Sequence, residues 1–304
     1  MSAPDPQPPA PPPVGQPEPG EPEGDPEQGF IRELSQFFVV PSLIVLLCVG
    51  VFIMFGLVTS ERSTARDFLQ QVRSESGSER WQAAFELSRL IARQPSLKGD
   101  DRLVGEITAI LEEQKTGDPK VRKYLVIALE HLANPSAGPI LVASLEDPDP
   151  EVRLQSARAL SVIPNVDGAV DGLARLLQDD DTAVRKVAVY ALGQTRDPKA
   201  KEVLLPRLED SLEDIRWNAA LALAVLGDPS GAEVIGQMLD RKHLDGIEGI
   251  TEDQKVSAIV NGVQAVYLLK DRSFEGRLRD LSQNDPSLKV REIAMKALES
   301  ISGG

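Results

Sequence analysis

Two histidines, His131 and His243, and one cysteine, Cys48, are the side chains of this sequence most suited to nucleophilic, general-base or metal-binding chemistry. Such chemistry needs partners at set spacings, and none accompany them. The histidines lie more than a hundred residues apart, and neither belongs to a His-Glu-x-x-His set. No Gly-x-Ser-x-Gly elbow and no Gly-rich phosphate loop occurs. His131 follows Ala128-Leu129-Glu130 near the end of a helical pattern, where the helix dipole favours an imidazole. His243 stands in a charged stretch. Cys48 lies in an uncharged apolar run and reads as a small apolar residue; alone it makes neither an internal disulfide nor a cysteine-rich metal site. This inventory predicts no catalytic residue, metal ligand, cofactor or small-molecule substrate, and therefore a protein that is not an enzyme.

The charged residue that does recur at regular spacing is arginine. Val121-Arg122, Val152-Arg153, Val184-Arg185, Ile215-Arg216 and Val290-Arg291 share one frame, the first four arginines being 31, 32 and 31 residues apart. Four residues after the apolar member comes a small residue in most copies (Ser156, Ala188, Ala219, Ala294). Seven and eight after it comes Ala-Leu: Ala128-Leu129, Ala159-Leu160, Ala191-Leu192, Ala222-Leu223 and Ala297-Leu298. Offsets 0, 4, 7 and 8 share one face of a helix, so a neighbouring helix can approach over the small residue. Two fainter copies fit: Glu79-Arg80-Trp81, and one built on Ala258, Gly262, Ala265 and Val266 in which Ile259 replaces the arginine. The step from Arg216 to Ile259 is 43 residues, so about a dozen extra residues fall in Arg241–Asp253. Their glycines and charges predict a projecting loop whose deletion costs little stability. The joint beside Ile259 is expected to be the loosest or the most specialised.

Asp147, Asp179, Asp210 and Asp285 come five residues before the apolar member, where one helix gives way to the next; Asn134-Pro, Asp197-Pro and Asp228-Pro come thirteen after it. Asx residues cap exposed amides and proline declines to continue a helix. Each unit is thus a helical hairpin of about 31 residues that buries its apolar face only by stacking.

In this frame, Asp-Pro-x-x-x-Val-Arg-x-x-Ala-x-x-Ala-Leu, the sequence resembles the HEAT repeats, and within them the short bacterial type called PBS-lyase HEAT-like. Asp181-Thr-Ala-Val-Arg185 through Ala191-Leu-Gly193 is a strong instance. The resemblance covers roughly residues 63–304 and implies an all-α fold, an α-solenoid of about seven hairpins. It implies that Arg122, Arg153, Arg185, Arg216 and Arg291 pair with turn carboxylates as a structural ladder; a row of cations for an anionic partner is the alternative. Some HEAT-repeat proteins are di-iron hydroxylases binding metal through several His-Glu pairs, whereas here there is only the reversed Glu130-His131. The family name also raises membership of a chromophore lyase complex, against which the apolar run argues. Trp81, Tyr190 and Trp217 occupy helix positions opposite the buried face and are candidate anchors for a protein partner, with packing against the next repeat as the alternative.

Two further segments precede the repeats. Residues 1–36 form a leader; its first 28 contain 11 prolines, six acids and no Lys or Arg, a composition expected to stay disordered. It serves as a spacer, or alternatively as a ligand for a proline-recognising domain. Residues 37–58 carry no charge over 22 positions and predict a transmembrane helix, since about 20 apolar residues suffice. A signal peptide fits less well: the preceding segment is long and acidic and no small-x-small site follows. The solenoid then occupies 59–304. A net charge of −14 argues against a sequence-independent grip on nucleic acid. Arg62, Arg66 and Arg73 follow the run within 16 residues and Arg32 alone precedes it as closely, which places the solenoid in the cytoplasm. An exported solenoid is the alternative. The sequence reads as a membrane-anchored scaffold or adaptor for other proteins, or else as a regulatory or assembly subunit of a membrane enzyme or transporter.

Overall fold

The computed structural model describes residues 40–59, 64–74 and 77–302. The chain divides into two compact units, Met1–Arg62 and Ser63–Gly304. The leader 1–36 lies outside the described residues. In the first unit α1 spans Val40–Thr59, without acid or base in its terminal turns. Its side chains are described from Pro41 to Met54 and all are exposed. Among the described residues no helix is long and apolar enough to cross a membrane, so the span expected over 37–58 is not shown by them.

Among its described residues the second unit consists of helices joined by short turns, with no strand. Its helices pair as successive hairpins: α2 (Ala65–Ser74) with α3 (Ser78–Arg93), α4 (Asp101–Glu113) with α5 (Pro119–Leu132), α6 (Gly138–Ser144) with α7 (Pro150–Val162), and α8 (Ala169–Leu176) with α9 (Thr182–Gln194). In the fifth, α10 (Lys199–Leu204) runs on as a 3-10 turn, Leu205–Glu209, before α11 (Glu213–Val225). Pro206 removes a donor there and tightens the turn. The sixth pairs α12 (Ala232–Met238) across a short α13 (Arg241–Asp245) with α14 (Glu252–Leu269), and the seventh pairs α15 (Glu275–Asn284) with α16 (Leu288–Ser302). The second helices of successive hairpins stack on one another in a continuous row.

The periodic face explains this stacking. Val152, Ser156, Ala159 and Leu160 are buried, as are Val184, Ala188, Ala191 and Leu192, and Ile215, Ala219, Ala222 and Leu223. Ser156 keeps its hydroxyl satisfied by donating to Val152 O at 2.8 Å within its own helix. Where α9 crosses α11 the small residue is Gly193, and a Cβ there would stand 2.7 Å from Ala222 Cα. The caps are local: Asp118, Asp149 and Asp181 each accept from backbone amides of the helix that follows. In α11 Leu212 holds that place without a side-chain bond. The apolar core forms two clusters that meet in α11, whose Ala219, Ala222 and Leu223 belong to the first and Ala220 and Ala224 to the second.

Residues 241–253 are not the projecting loop expected from their glycines. They fold as α13, capped by Asp240, and Leu244 is fully buried in the C-terminal cluster. Gly249, at φ 76°, turns the chain back. Thr251 and Gln254 then open α14 with reciprocal side-chain-to-amide bonds. Leu244, Ile247 and Ile250 all pack on that cluster, but three apolar residues among glycines and charges were too few to outweigh the loop signal.

Candidate interaction surface and arginine ladder

Each ladder arginine sits in the first turn of the second helix of its hairpin and turns back to the turn it has just left. Nη1 of Arg122 donates to Gly117 O, and Nη1 of Arg153 to Asp147 O at 2.8 Å. Arg185 reaches Asp179 O at 2.6 Å, Arg216 reaches Asp210 O at 2.6 Å, and Arg291 reaches Asp285 O at 3.1 Å. These carbonyl contacts, common to all five, were not foreseen from sequence. Nothing in side-chain type announces a backbone acceptor.

Carboxylate contacts are less uniform. Arg122 grips Asp147 of the next hairpin through Nε at 2.7 Å and Nη2 at 2.9 Å. Arg153 grips Asp179 with the same distances. Bidentate geometry of this kind suits the planar guanidinium. The hydrogen bond from Arg153 holds the Asp179 carboxyl below its ordinary range, and the bonds to Asp147 and Asp179 raise both guanidiniums. Arg185 instead donates to Thr182 Oγ1 at 2.9 Å, and Arg216 pairs with Glu213 of its own helix. Ile259, which stands where an arginine is missing, is fully buried. Even so, Asp285 is held bidentately at 2.9 Å and 2.9 Å, by Arg241. Of the two alternatives for the joint beside Ile259, the loosest or the most specialised, this contact favours the specialised one, because the partner comes from 44 residues away in sequence.

The three aromatic candidates do not form one patch. Trp81 is half-buried against the first cluster and stacks on Tyr124 at 6.2 Å between centroids. Phe85 meets Tyr124 edge-on at 5.1 Å. Lys120, Lys123 and Arg89 lie over the rings of Trp81, Tyr124 and Phe85 respectively. The sequence frame already put Tyr124 three residues past Val121, a signal passed over. Trp217 is half-buried against the second cluster, and its Nε1 is buried without a hydrogen-bond partner among the described residues. It borders a recess of about 210 Å³ that also includes Lys186, Asp214, Asn218, Gln254 and Asn261. Tyr190 is 46% exposed. Trp81 and Trp217 thus follow the packing alternative rather than that of outward anchors: an indole at these positions is large enough to lean onto the core.

Among the described residues no three His, Cys, Asp or Glu side chains gather as a metal would require. Glu130, beside His131, accepts from Arg158 at 3.2 and 3.0 Å. His243 Nε2 lies 3.9 Å from Glu213 Oε1. The residues present do not fit a ligand set of several His-Glu pairs.

The profile of HEAT repeats matches residues 106–186 and 170–252, which supports the HEAT-repeat reading of the solenoid. A deoxyhypusine hydroxylase of Drosophila pseudoobscura pseudoobscura is 34% identical over 119 residues, 38% of this chain and 34% of that protein. The chain spans about a third or less of the length of the hydroxylases it matches. The uncharacterized phycocyanin operon protein Z of Pseudanabaena tenuis is 24% identical over 168 residues, 53% of this chain and 81% of that one. Among solved structures, the complex of CpcE and CpcF of phycocyanin lyase from Nostoc sp. aligns with TM-score 0.51 and 21% identity over 80% of this chain and 96% of that chain, a likeness of fold. The expectation that the chain is not an enzyme is overturned by these matches, since relatives named for an enzyme share its repeats. That expectation rested on absent motifs, and a repeat surface supports activities that no short motif marks.

Proposed function

We propose that this chain is a membrane-associated HEAT-repeat protein of the short bacterial type whose solenoid holds other proteins. One observation carries the reading. A single chain joins an uncharged run at 37–58 to a stack of hairpins whose second helices leave a continuous row of side chains outside the core. Stacked repeats offer an extended binding surface for their mass. The ladder arginines act in this reading as internal braces, since Arg122 and Arg153 spend their charge on the chain's own aspartates. Tyr190 is the aromatic side chain of the three that stays free to meet a partner. Affinity capture from detergent-solubilised membranes should recover a partner in fixed ratio. Tyr190→Ala should weaken capture and Arg185→Ala should leave it intact at low temperature; the reverse pattern overturns the assignment.

For the anchor, the support is the sequence run 37–58, uncharged over 22 positions where about 20 apolar residues suffice, together with the exposed apolar side chains of Leu46 and Phe52. The arginines Arg62, Arg66 and Arg73 favour a cytoplasmic solenoid. Protease added to intact spheroplasts should then trim the leader and spare the repeats, and digestion of the repeats reverses the orientation. A second reading, that the chain serves an enzyme complex as a subunit, is favoured by the names of its relatives, a hydroxylase and a phycocyanin operon protein. It predicts that removing the chain changes the captured partner's catalytic rate and not only its location.

A further inference from the structure

The five residues of α13 touch three hairpins. Arg241 grips Asp285 of the seventh hairpin with Nε and Nη2, and its Nη1 donates to Glu252 at the start of α14 in the sixth. Asp245 accepts from Lys255 one turn further along α14. His243 Nε2 lies 3.9 Å from Glu213 in the first turn of α11, in the fifth hairpin. Leu244 is wholly buried among the apolar residues of the C-terminal cluster. The side chain of Asp285 has no exposed surface, so its charge depends on the guanidinium that meets it.

The ladder is defective on both sides of this helix. Arg185 meets a hydroxyl and carbonyls rather than the carboxylate of the fifth hairpin's turn, and Ile259 supplies no guanidinium to the seventh. The same region has the broken first helix of the fifth hairpin and the seam between the two apolar clusters. Apolar stacking alone is non-directional. Besides that stacking, Arg277 of α15 donates its Nη1 to Gly236 O of α12, a directional contact that supplies no counter-charge to Asp285.

We infer that α13 is a clasp in which Arg241 replaces the arginine missing at Ile259 and, with Leu244, fixes the seventh hairpin onto the sixth. In the second and third hairpins the gripping arginine is part of the stacked helix itself, and it leaves only when that helix unfolds. Arg241 stands on a separate five-residue helix followed by Gly246 and Gly249. Lifting α13 therefore leaves α15 and α16 held to the sixth hairpin by apolar stacking and the Arg277 bond, and loosens them while the earlier hairpins stay folded.

Hydrogen exchange measured by mass spectrometry on the full chain tests this. In Arg241→Ala, amides of α15 and α16 should exchange at least about tenfold faster than in the wild type, while those of α2 to α9 stay within about twofold. Leu244→Ala should give the same pattern. Arg241→Lys keeps the charge but loses the fork, so it should give a smaller acceleration confined to the same helices, and it decides the matter if the alanine variant aggregates. Arg185→Ala should leave α15 and α16 unchanged. Unaltered protection of α15 and α16 in Arg241→Ala and Arg241→Lys overturns the clasp, as does an acceleration spread evenly from α2 to α16.

Discussion

Replacing Arg122 by Ala isolates what a ladder carboxylate contributes. The guanidinium is 5% exposed and Asp147 is 8% exposed, and two hydrogen bonds of 2.7 and 2.9 Å join them. Truncation leaves the carboxylate buried without its counter-charge, a loss of about 3–5 kcal/mol for a pair of this kind. Arg185 is the internal comparison, being half-buried and bonded to the carbonyls of Asp179 and Asp180 and the hydroxyl of Thr182. Water replaces much of that, so Arg185→Ala should cost about 1–2 kcal/mol. With roughly 2–4 °C per kcal/mol for a folded unit of this size, Arg122→Ala should lower Tm by about 6–20 °C and Arg185→Ala by about 2–8 °C. Thermal unfolding followed by circular dichroism reads both, with urea titration giving the free energies.

The double variant Arg122→Leu with Asp147→Leu makes the test sharper. Removing both charges leaves an apolar contact where the pair stood, and such replacements are neutral or stabilising in comparable sites. It should recover most of the stability lost in Arg122→Ala. Equal losses for Arg122→Ala and Arg185→Ala, together with no recovery in the double variant, would falsify the idea that the carboxylate sets the cost. The shared carbonyl contact would then be what matters.

Three other outcomes follow from the geometry. Gly193→Ala places a Cβ 2.7 Å from Ala222 Cα and should force α9 and α11 apart, costing about 1–3 kcal/mol in a urea titration; an unchanged midpoint refutes the close approach. Asp179, whose carboxyl is held low by the Arg153 hydrogen bond, contributes stability that is whole above its unfolded value of about 3.9 and is lost as pH falls through the lower folded value. The gap in Tm between wild type and Asp179→Asn should therefore be full at pH 6 and close below about pH 4, and a gap constant with pH contradicts it. Asn134 is 6% exposed and donates to Gly99 O at 3.0 Å and Asp101 Oδ1 at 2.7 Å, so Asn134→Ala should cost about 1–3 kcal/mol, read as faster hydrogen exchange in α4.

The hairpins were legible because their signal is local. Offsets 0, 4, 7 and 8 repeat within one helix, and Asp149 and Asp181 cap amides two and three residues away. The partners of the arginines lie beyond that range. Arg122 and Arg153 meet acids 25 and 26 residues on, close to one repeat, so the pattern pointed toward them. The same pattern failed at Arg185, where the second helix of the fifth hairpin starts at Leu212 without a capping side chain and its first helix breaks at a proline. It failed again at Arg241, which shares no frame position with the other arginines and meets an acid 44 residues away.

These failures have one physical source. A repeat frame describes what each hairpin shares with its neighbours, whereas the contacts that distinguish one joint from another come from residues outside the frame. Between the second and fourth hairpins each joint has a bidentate brace within the frame, and these joints should open together. Around the fifth the bidentate arginine brace gives way to single lysine pairs, Lys186 with Asp214 and Lys201 with Asp228, the core divides and α13 bridges the gap from outside. The weakest cooperative link along the solenoid therefore belongs at the fifth hairpin rather than beside Ile259. Stepwise unfolding in urea should first release α15 and α16 when Arg241 is altered, and should divide the chain near α11 when the wild type is pushed to its first transition. A first transition that opens between α5 and α9 would show that the shared apolar face, and not the charged braces, ranks the joints.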